Sequence, residues 1–290
     1  MPQTLLATVV SATPELTWWK AIVLGFVQGA TEFLPISSSA HLKVVPVLLG
    51  WGDPGSSYTA VIQLGSIVAV LAYFREDIWA VLQGSLKSLR NGDWSSNEGQ
   101  MAIGIAIGTL PIVVLGLLIK KFVPDYDHSP LRSLESIALV SMVMGSLLGL
   151  AERLARHRRS FVSLRWLDGL LMGVGQALAI IPGVSRSGAT LTAGLGLGLE
   201  RAAAARFSFL LGIPAITLAG LVELKDALAG PIAIGPALVG VISALVFSWL
   251  AIAWLLRFLQ QHTTWIFVWY RLAFGAALLA LLFGGAIQNS

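Results

Sequence analysis

LTWWKAIVLGFVQGATEFLPISSS, residues 16–39, and LRWLDGLLMGVGQALAIIPGVSRS, residues 164–187, are two apolar stretches broken at Pro35 and at Pro182. A helix crosses the hydrocarbon slab with about 20 apolar residues. Both stretches have that apolarity, but polar residues interrupt each. Three serines, His41 and Lys43 follow the first proline, and Ser185, Arg186 and Ser187 follow the second. Irregular backbone survives at membrane depth only where protein or a water-filled cavity satisfies it. Both stretches therefore read as discontinuous helices or re-entrant hairpins. Set side by side without gaps, Leu16, Trp18, Gly25 and Gln28 fall on Leu164, Trp166, Gly173 and Gln176. A one-residue gap then brings the prolines and the serine clusters together. This predicts an internal duplication with halves at about 16–135 and 162–290. Paired broken helices in two halves point to a central binding site.

The rest of the chain fits the same solvent. Only 12% of its 290 residues are charged and 56% are hydrophobic. Soluble domains carry roughly 25% charged residues. More continuous apolar runs lie at 58–74, 101–119, 137–151, 207–222, 231–256 and 265–284. The expected fold is all-α, a polytopic transmembrane helical bundle forming one integral membrane domain over residues 1–290. Two basic segments, 75–90 and 153–165, read as loops on one side, because two spans separate them. Basic loops collect on the cytoplasmic side. A net charge of +4 gives no reason to expect nucleic acid, and the absence of cysteine excludes disulfide and thiolate chemistry. Residues 1–20 lack the basic start of a cleaved signal peptide.

Two clusters carry chemistry. Gln28 and Glu32 are four apart and share a helix face. Ser37, Ser38, Ser39 and His41 follow the proline. Together they offer an acid/base group, a nucleophile and metal oxygens in one short stretch. A carboxylate in an apolar segment is a functional signal by default. In the second cluster, Ser185, Arg186, Ser187 and Thr190 stand among small residues after Pro182 and Gly183. Small residues let backbone N–H groups approach an anion, and an arginine grips phosphate oxygens in pairs. The cluster reads as a phosphate cradle without the GK[ST] of a nucleotide loop. Phosphoryl transfer would join the two clusters, Arg186 supplying charge and a divalent cation near Glu32 supplying more. A transporter or flippase for a phosphorylated lipid is the rival reading. It would need the arginine but not an acid/base histidine. Arg271, in the last apolar run, could pair with an acid, line the pocket or reach the interface. His128, His157 and His262 read as solvated loop residues.

QGATEFLPISSSAH followed by PGVSRSGAT resembles the undecaprenyl-diphosphate phosphatase family, also called the bacitracin resistance proteins. QLGSIVAVLAYFRED and FSFLLGIPA extend the resemblance over essentially the whole chain. It implies hydrolysis of undecaprenyl diphosphate to the monophosphate and inorganic phosphate, which recycles the cell-wall lipid carrier. It also implies Mg²⁺ or Ca²⁺ dependence, inverted repeats, a homodimer, and a bacterial cytoplasmic membrane with the site facing outside. By the same resemblance, Glu32 is a metal or activating carboxylate aided by Gln28, Ser38 a nucleophile or phosphate ligand, and His41 the essential histidine. Ser185, Arg186 and Thr190 bind substrate, with Ser187, Ser37 and Ser39 beside them. The family carries Glu or Gln at the position of Gln28, and an amide there cannot serve as a base.

Overall fold

The computed structural model describes residues 16–52, 55–123, 126, 129–227 and 233–289, which hold helices and no β-strand. Residues 1–15 and His128, on which two of the expectations fall, lie outside the described residues. The first broken stretch becomes α1 (Trp18–Phe33) and α2 (Ser38–Leu48). The chain continues through α3 (Ser56–Tyr73), α4 (Arg75–Asn91), α5 (Asn97–Phe122) and α6 (Leu134–Leu154). The second broken stretch becomes α7 (Trp166–Ala177), a 3-10 turn and α8 (Arg186–Gly196). Then come α9 (Arg201–Ala227), α10 (Ile234–Gln261) and α11 (Trp265–Phe283).

Five of these, α5, α6, α9, α10 and α11, are long and apolar enough to cross a membrane. The expected span at 58–74 falls on α3, which meets the length and hydropathy of a span only together with α4, and the pair bends by 67°. Segment 75–90, expected as a basic loop, is the helix α4. Its apolar side chains recur at helical spacing, and Trp79, Leu82, Leu86 and Leu89 are exposed beside Lys87 and Arg90. That is the pattern of a helix lying in a membrane interface. At 11 residues each, α2 and α8 are about 16 Å long and cannot cross alone. Both are half-length helices held inside the bundle.

α1 packs along α10, and α7 packs along α5. α3 lies between α10 and α9, and α11 lies on α6. The α5–α7 contact is made of bare backbone. A Cβ on Gly169 would stand 2.4 Å from Gly104 Cα, and one on Gly173 would stand 2.1 Å from the Gly108 carbonyl oxygen. Lipid is as apolar as leucine, so helices associate here through close van der Waals contact.

Ion pairs gather at one end of the bundle. Asp77 of α4 pairs with Arg206 of α9, Glu152 at the end of α6 pairs with Arg201 of α9, and Asp168 at the start of α7 pairs with Arg159. Both basic segments therefore meet on one face, as the two intervening spans predicted. The hydrogen bonds from Arg159 to Asp168 raise the guanidinium's pKa above its ordinary value. His157 is not solvated as expected: it is part-buried against the Glu152 carbonyl. His262, by contrast, is exposed.

Gly173→Ala is expected to push α7 off α5 and cost roughly 1–3 kcal/mol. Gly116→Ala, where a Cβ meets nothing within 4 Å, serves as the neutral control. Thermal unfolding in detergent checks both, and equal midpoints would refute the close-contact account.

Candidate active site

Each half-length helix starts at a serine with an unusual backbone. Ser37 has φ 76° and Ser185 has φ 68°, in the left-handed region that non-glycine residues seldom occupy. Each hydroxyl caps its helix: Ser37 Oγ accepts from Ala40 N at 3.4 Å, and Ser185 Oγ accepts from Gly188 N at 3.1 Å. Each also bonds the hydroxyl two residues on, Ser39 at 3.1 Å and Ser187 at 3.2 Å. The two breaks are thus built alike. Backbone strain of this kind clusters at functional sites.

Glu32, in the last turn of α1, is where the two breaks meet. Its Oε1 accepts from Arg186 Nη2 at 3.2 Å, and its Oε2 accepts from Ser38 Oγ at 2.6 Å and from Gln28 Nε2 at 3.2 Å. The Arg186–Glu32 ion pair is nine-tenths buried on both sides. Ser187 Oγ donates to the Leu34 carbonyl at 3.0 Å, tying the second break to the first. The structure therefore brings Gln28, Glu32, Ser38, Arg186 and Ser187 into one polar centre. Gln28 Nε2 also donates to Ser66 Oγ, which accepts from Ser248, so a hydrogen-bond chain runs from the site across α3 to α10.

Other expected residues sit around this centre with hydrogen-bond partners of their own. His41 Nδ1 is 2.7 Å from the Ser37 carbonyl, and Nε2 is 2.6 Å from the Tyr270 hydroxyl. A carbonyl only accepts, so Nδ1 carries the proton and Nε2 accepts from the phenol. The ring stacks on Tyr270 and Phe274. Both nitrogens are occupied, and no hydrogen bond joins His41 to Glu32, Ser38 or Arg186 among the described residues. Thr190 is buried and braces α8: it donates to the Arg186 carbonyl at 2.8 Å and shares a short hydrogen bond with Ser208 of α9. Ser39 is exposed at the rim.

Arg271 takes none of the three roles open to it in the sequence. It is 0% exposed, and it donates to the carbonyls of Pro35 at 3.1 Å, Gly183 at 2.6 Å and Ser141 at 3.1 Å. One guanidinium on α11 thus holds both breaks and α6. Neither Arg271 nor Tyr270 had a signal of position in the sequence beyond a charge inside an apolar run.

No group of three or more His, Cys, Asp or Glu gathers as a metal cluster among the described residues. The centre offers one carboxylate, one amide oxygen and hydroxyls. This suits a hard cation that takes one or two carboxylates and completes its shell with substrate phosphates.

Replacing Arg271 with Met is expected to leave the buried carbonyls of Pro35 and Gly183 without donors, while Ser141, inside α6, keeps its helical bond. At about 1–3 kcal/mol for each orphaned group, the loss is about 2 kcal/mol or more, and activity falls with it. Wild-type unfolding and turnover in Arg271→Met would show the clamp to be redundant.

Comparison with known proteins places this geometry in a family. The family model described as bacitracin resistance protein BacA matches residues 21–277. An undecaprenyl-diphosphatase of Synechococcus elongatus is 64% identical over 283 residues, covering 97% of this chain and 98% of its own. An undecaprenyl-diphosphatase of Nostoc sp. is 61% identical over 274 residues, covering 93% and 86%. On the family match and on these identities, the chain belongs to the bacitracin resistance protein BacA family.

Proposed function

We propose that the chain is a membrane phosphatase that hydrolyses undecaprenyl diphosphate to undecaprenyl phosphate and inorganic phosphate. The observation that carries the reading is the Glu32 carboxylate, bonded at once to the hydroxyl of Ser38 and to the guanidinium of Arg186. A transporter needs the cation but has no use for a hydroxyl held on a carboxylate. The names of the relatives point the same way.

The chemistry follows from those contacts. Glu32 is placed to take the Ser38 proton as Oγ attacks the terminal phosphorus. The Oγ–P bond forms, the bond from that phosphorus to the bridging oxygen breaks, and the lipid monophosphate leaves. Water then attacks the phosphoserine and releases inorganic phosphate. Arg186 stays paired with Glu32 through one end of its guanidinium and neutralises charge as it develops on the phosphate oxygens. The starts of α2 and α8 both lie here, and helix N-termini favour anions. His41 holds the turn that presents Ser38 through the Ser37 carbonyl, which fixes its tautomer and leaves Nε2 to accept from Tyr270. Ser37, Ser185, Ser187 and Thr190 keep the two breaks in shape. Ser39 lies where a headgroup would enter.

Glu32, with Gln28, is where Mg²⁺ or Ca²⁺ would be held, and the cation would supply further neutralisation of the diphosphate. The two broken halves, 16–135 and 162–290, are read as inverted copies of one ancestral unit. The like-built serine caps support this, as does the exchange in which α1 packs on α10 and α7 on α5. The protein is read as sitting in a bacterial cytoplasmic membrane with its basic face inside and its site open to the outside, a reading that the charge placement and the family support. A homodimer rests on the family alone.

Phosphate release by purified protein from a polyprenyl diphosphate, with and without Mg²⁺ or Ca²⁺, tests the reading. Cation-dependent release is expected, with at least a hundredfold loss in Glu32→Gln and in Arg186→Ala, on the scale of oxyanion-type stabilisation. Normal turnover in either variant would break the assignment. Gln28→Glu adds a second carboxylate beside Glu32, where two like charges need a proton or a cation between them. Half-activation at a lower cation concentration is expected, and an unchanged requirement would place the cation elsewhere.

A further inference from the structure

Arg186 has two ends to its guanidinium, and the structure treats them differently. Nη2 bonds Glu32, while Nη1 is buried without a hydrogen-bond partner. What lies against Nη1 is the backbone of α9 at Gly212. A Cβ built on Gly212 would stand 1.5 Å from Nη1 and 2.7 Å from Cζ. The guanidinium fills the space in which any other residue would carry its first side-chain carbon. Gly212 belongs to the run FSFLLGIPA, whose Phe207, Phe209, Leu210 and Leu211 are all buried in the core. A gap in the side chains of that run is open only at 212.

The register that puts Gly212 under Arg186 is set one helical turn away. Thr190 lies four residues after Arg186 on α8, and Ser208 lies four residues before Gly212 on α9. Thr190 and Ser208 share a short buried hydrogen bond. Arg186–Gly212 and Thr190–Ser208 are therefore two successive rungs between the same pair of helices. The polar rung fixes the sliding of α8 on α9, and the bare rung leaves room for the guanidinium.

We infer that Gly212 is a positioning residue for phosphate recognition: its missing side chain seats Arg186 so that one guanidinium end holds Glu32 and the other is kept for a diphosphate oxygen. This rests on the phosphatase reading and adds to it the seat that aims the arginine. Planar, paired recognition of phosphate depends on where the fork points. A displacement of about 1 Å in such a group costs on the order of a hundredfold in rate.

The test is a double-mutant cycle on phosphate release, paired with the affinity for inorganic pyrophosphate read from thermal stabilisation. Gly212→Ala is expected to lower kcat/KM by on the order of a hundredfold and to weaken pyrophosphate binding, close to the effect of Arg186→Lys. Lysine has no Nη1 to strike the new methyl. In the Arg186→Lys background, Gly212→Ala is therefore expected to cost nothing further. Multiplying losses, or a Gly212→Ala enzyme as good as wild type, would overturn the inference. If Gly212→Ala alone lowers the unfolding temperature, Arg186→Lys is expected to restore it by removing the clash, and a failure to restore it also overturns the seat. Wild-type protein that neither releases phosphate nor binds pyrophosphate defeats the phosphatase reading, and the inference falls with it.

Discussion

The structure depends on the three hydrogen bonds of one buried arginine. Two helices stop at prolines inside the bundle, and each stop frees backbone carbonyls. Those carbonyls cannot turn to lipid. Arg271 reaches the Pro35 and Gly183 carbonyls with its two terminal nitrogens and the Ser141 carbonyl with Nε. A single planar group thereby solves the same problem at both breaks and pins them to each other. The arginine has no carboxylate partner among these bonds. Its charge is held by carbonyl dipoles, and it adds positive potential beside the site. With Arg186 and Glu32 counted, the centre carries a net positive charge, which suits a ligand bearing a diphosphate.

Because the breaks are pinned, the groups between them can be held under strain. Ser37 and Ser185 keep left-handed backbones that would relax elsewhere. Ser38 is turned onto Glu32 by that geometry, and Arg186 is turned onto the same carboxylate from the opposite break. The Ser187 bond to the Leu34 carbonyl adds a second tie between them. Catalysis rewards interactions that are already in place when charge develops. Here the ordering is done by folding, through a frame in which α5 and α7 are joined by bare glycine contact and one end is stapled by ion pairs.

The way the helices exchange partners gives the site its position. α1 lies on α10 and α7 lies on α5, so each broken helix is carried by a long helix from the other part of the chain. α9 runs from the ion-paired face into the bundle. Gly212 lies eleven residues past its start at Arg201, about 17 Å along at 1.5 Å per residue. That length is about half the thickness of a hydrocarbon slab.

Much of this was legible in the residues alone. Scarce charge and long apolar runs required a membrane bundle, because so few charges cannot cover a soluble surface of this length. Pro35, Pro182 and the serines after them marked both breaks, because a proline removes a backbone donor whatever surrounds it. Gln28 and Glu32 declared a shared face through helical period. Segment 75–90 was misread as a loop, since its basic residues outweighed the apolar period that folds it as α4. The duties of His41, Thr190 and Arg271 were out of reach. Which carbonyl an arginine meets, or which helix a threonine braces, depends on partners more than a hundred residues away or on helix register. The seat at Gly212 was the least visible of all, because a missing side chain has meaning only when another residue is seen to occupy its place. Local backbone chemistry decided where the helices break; tertiary packing decided what the breaks hold.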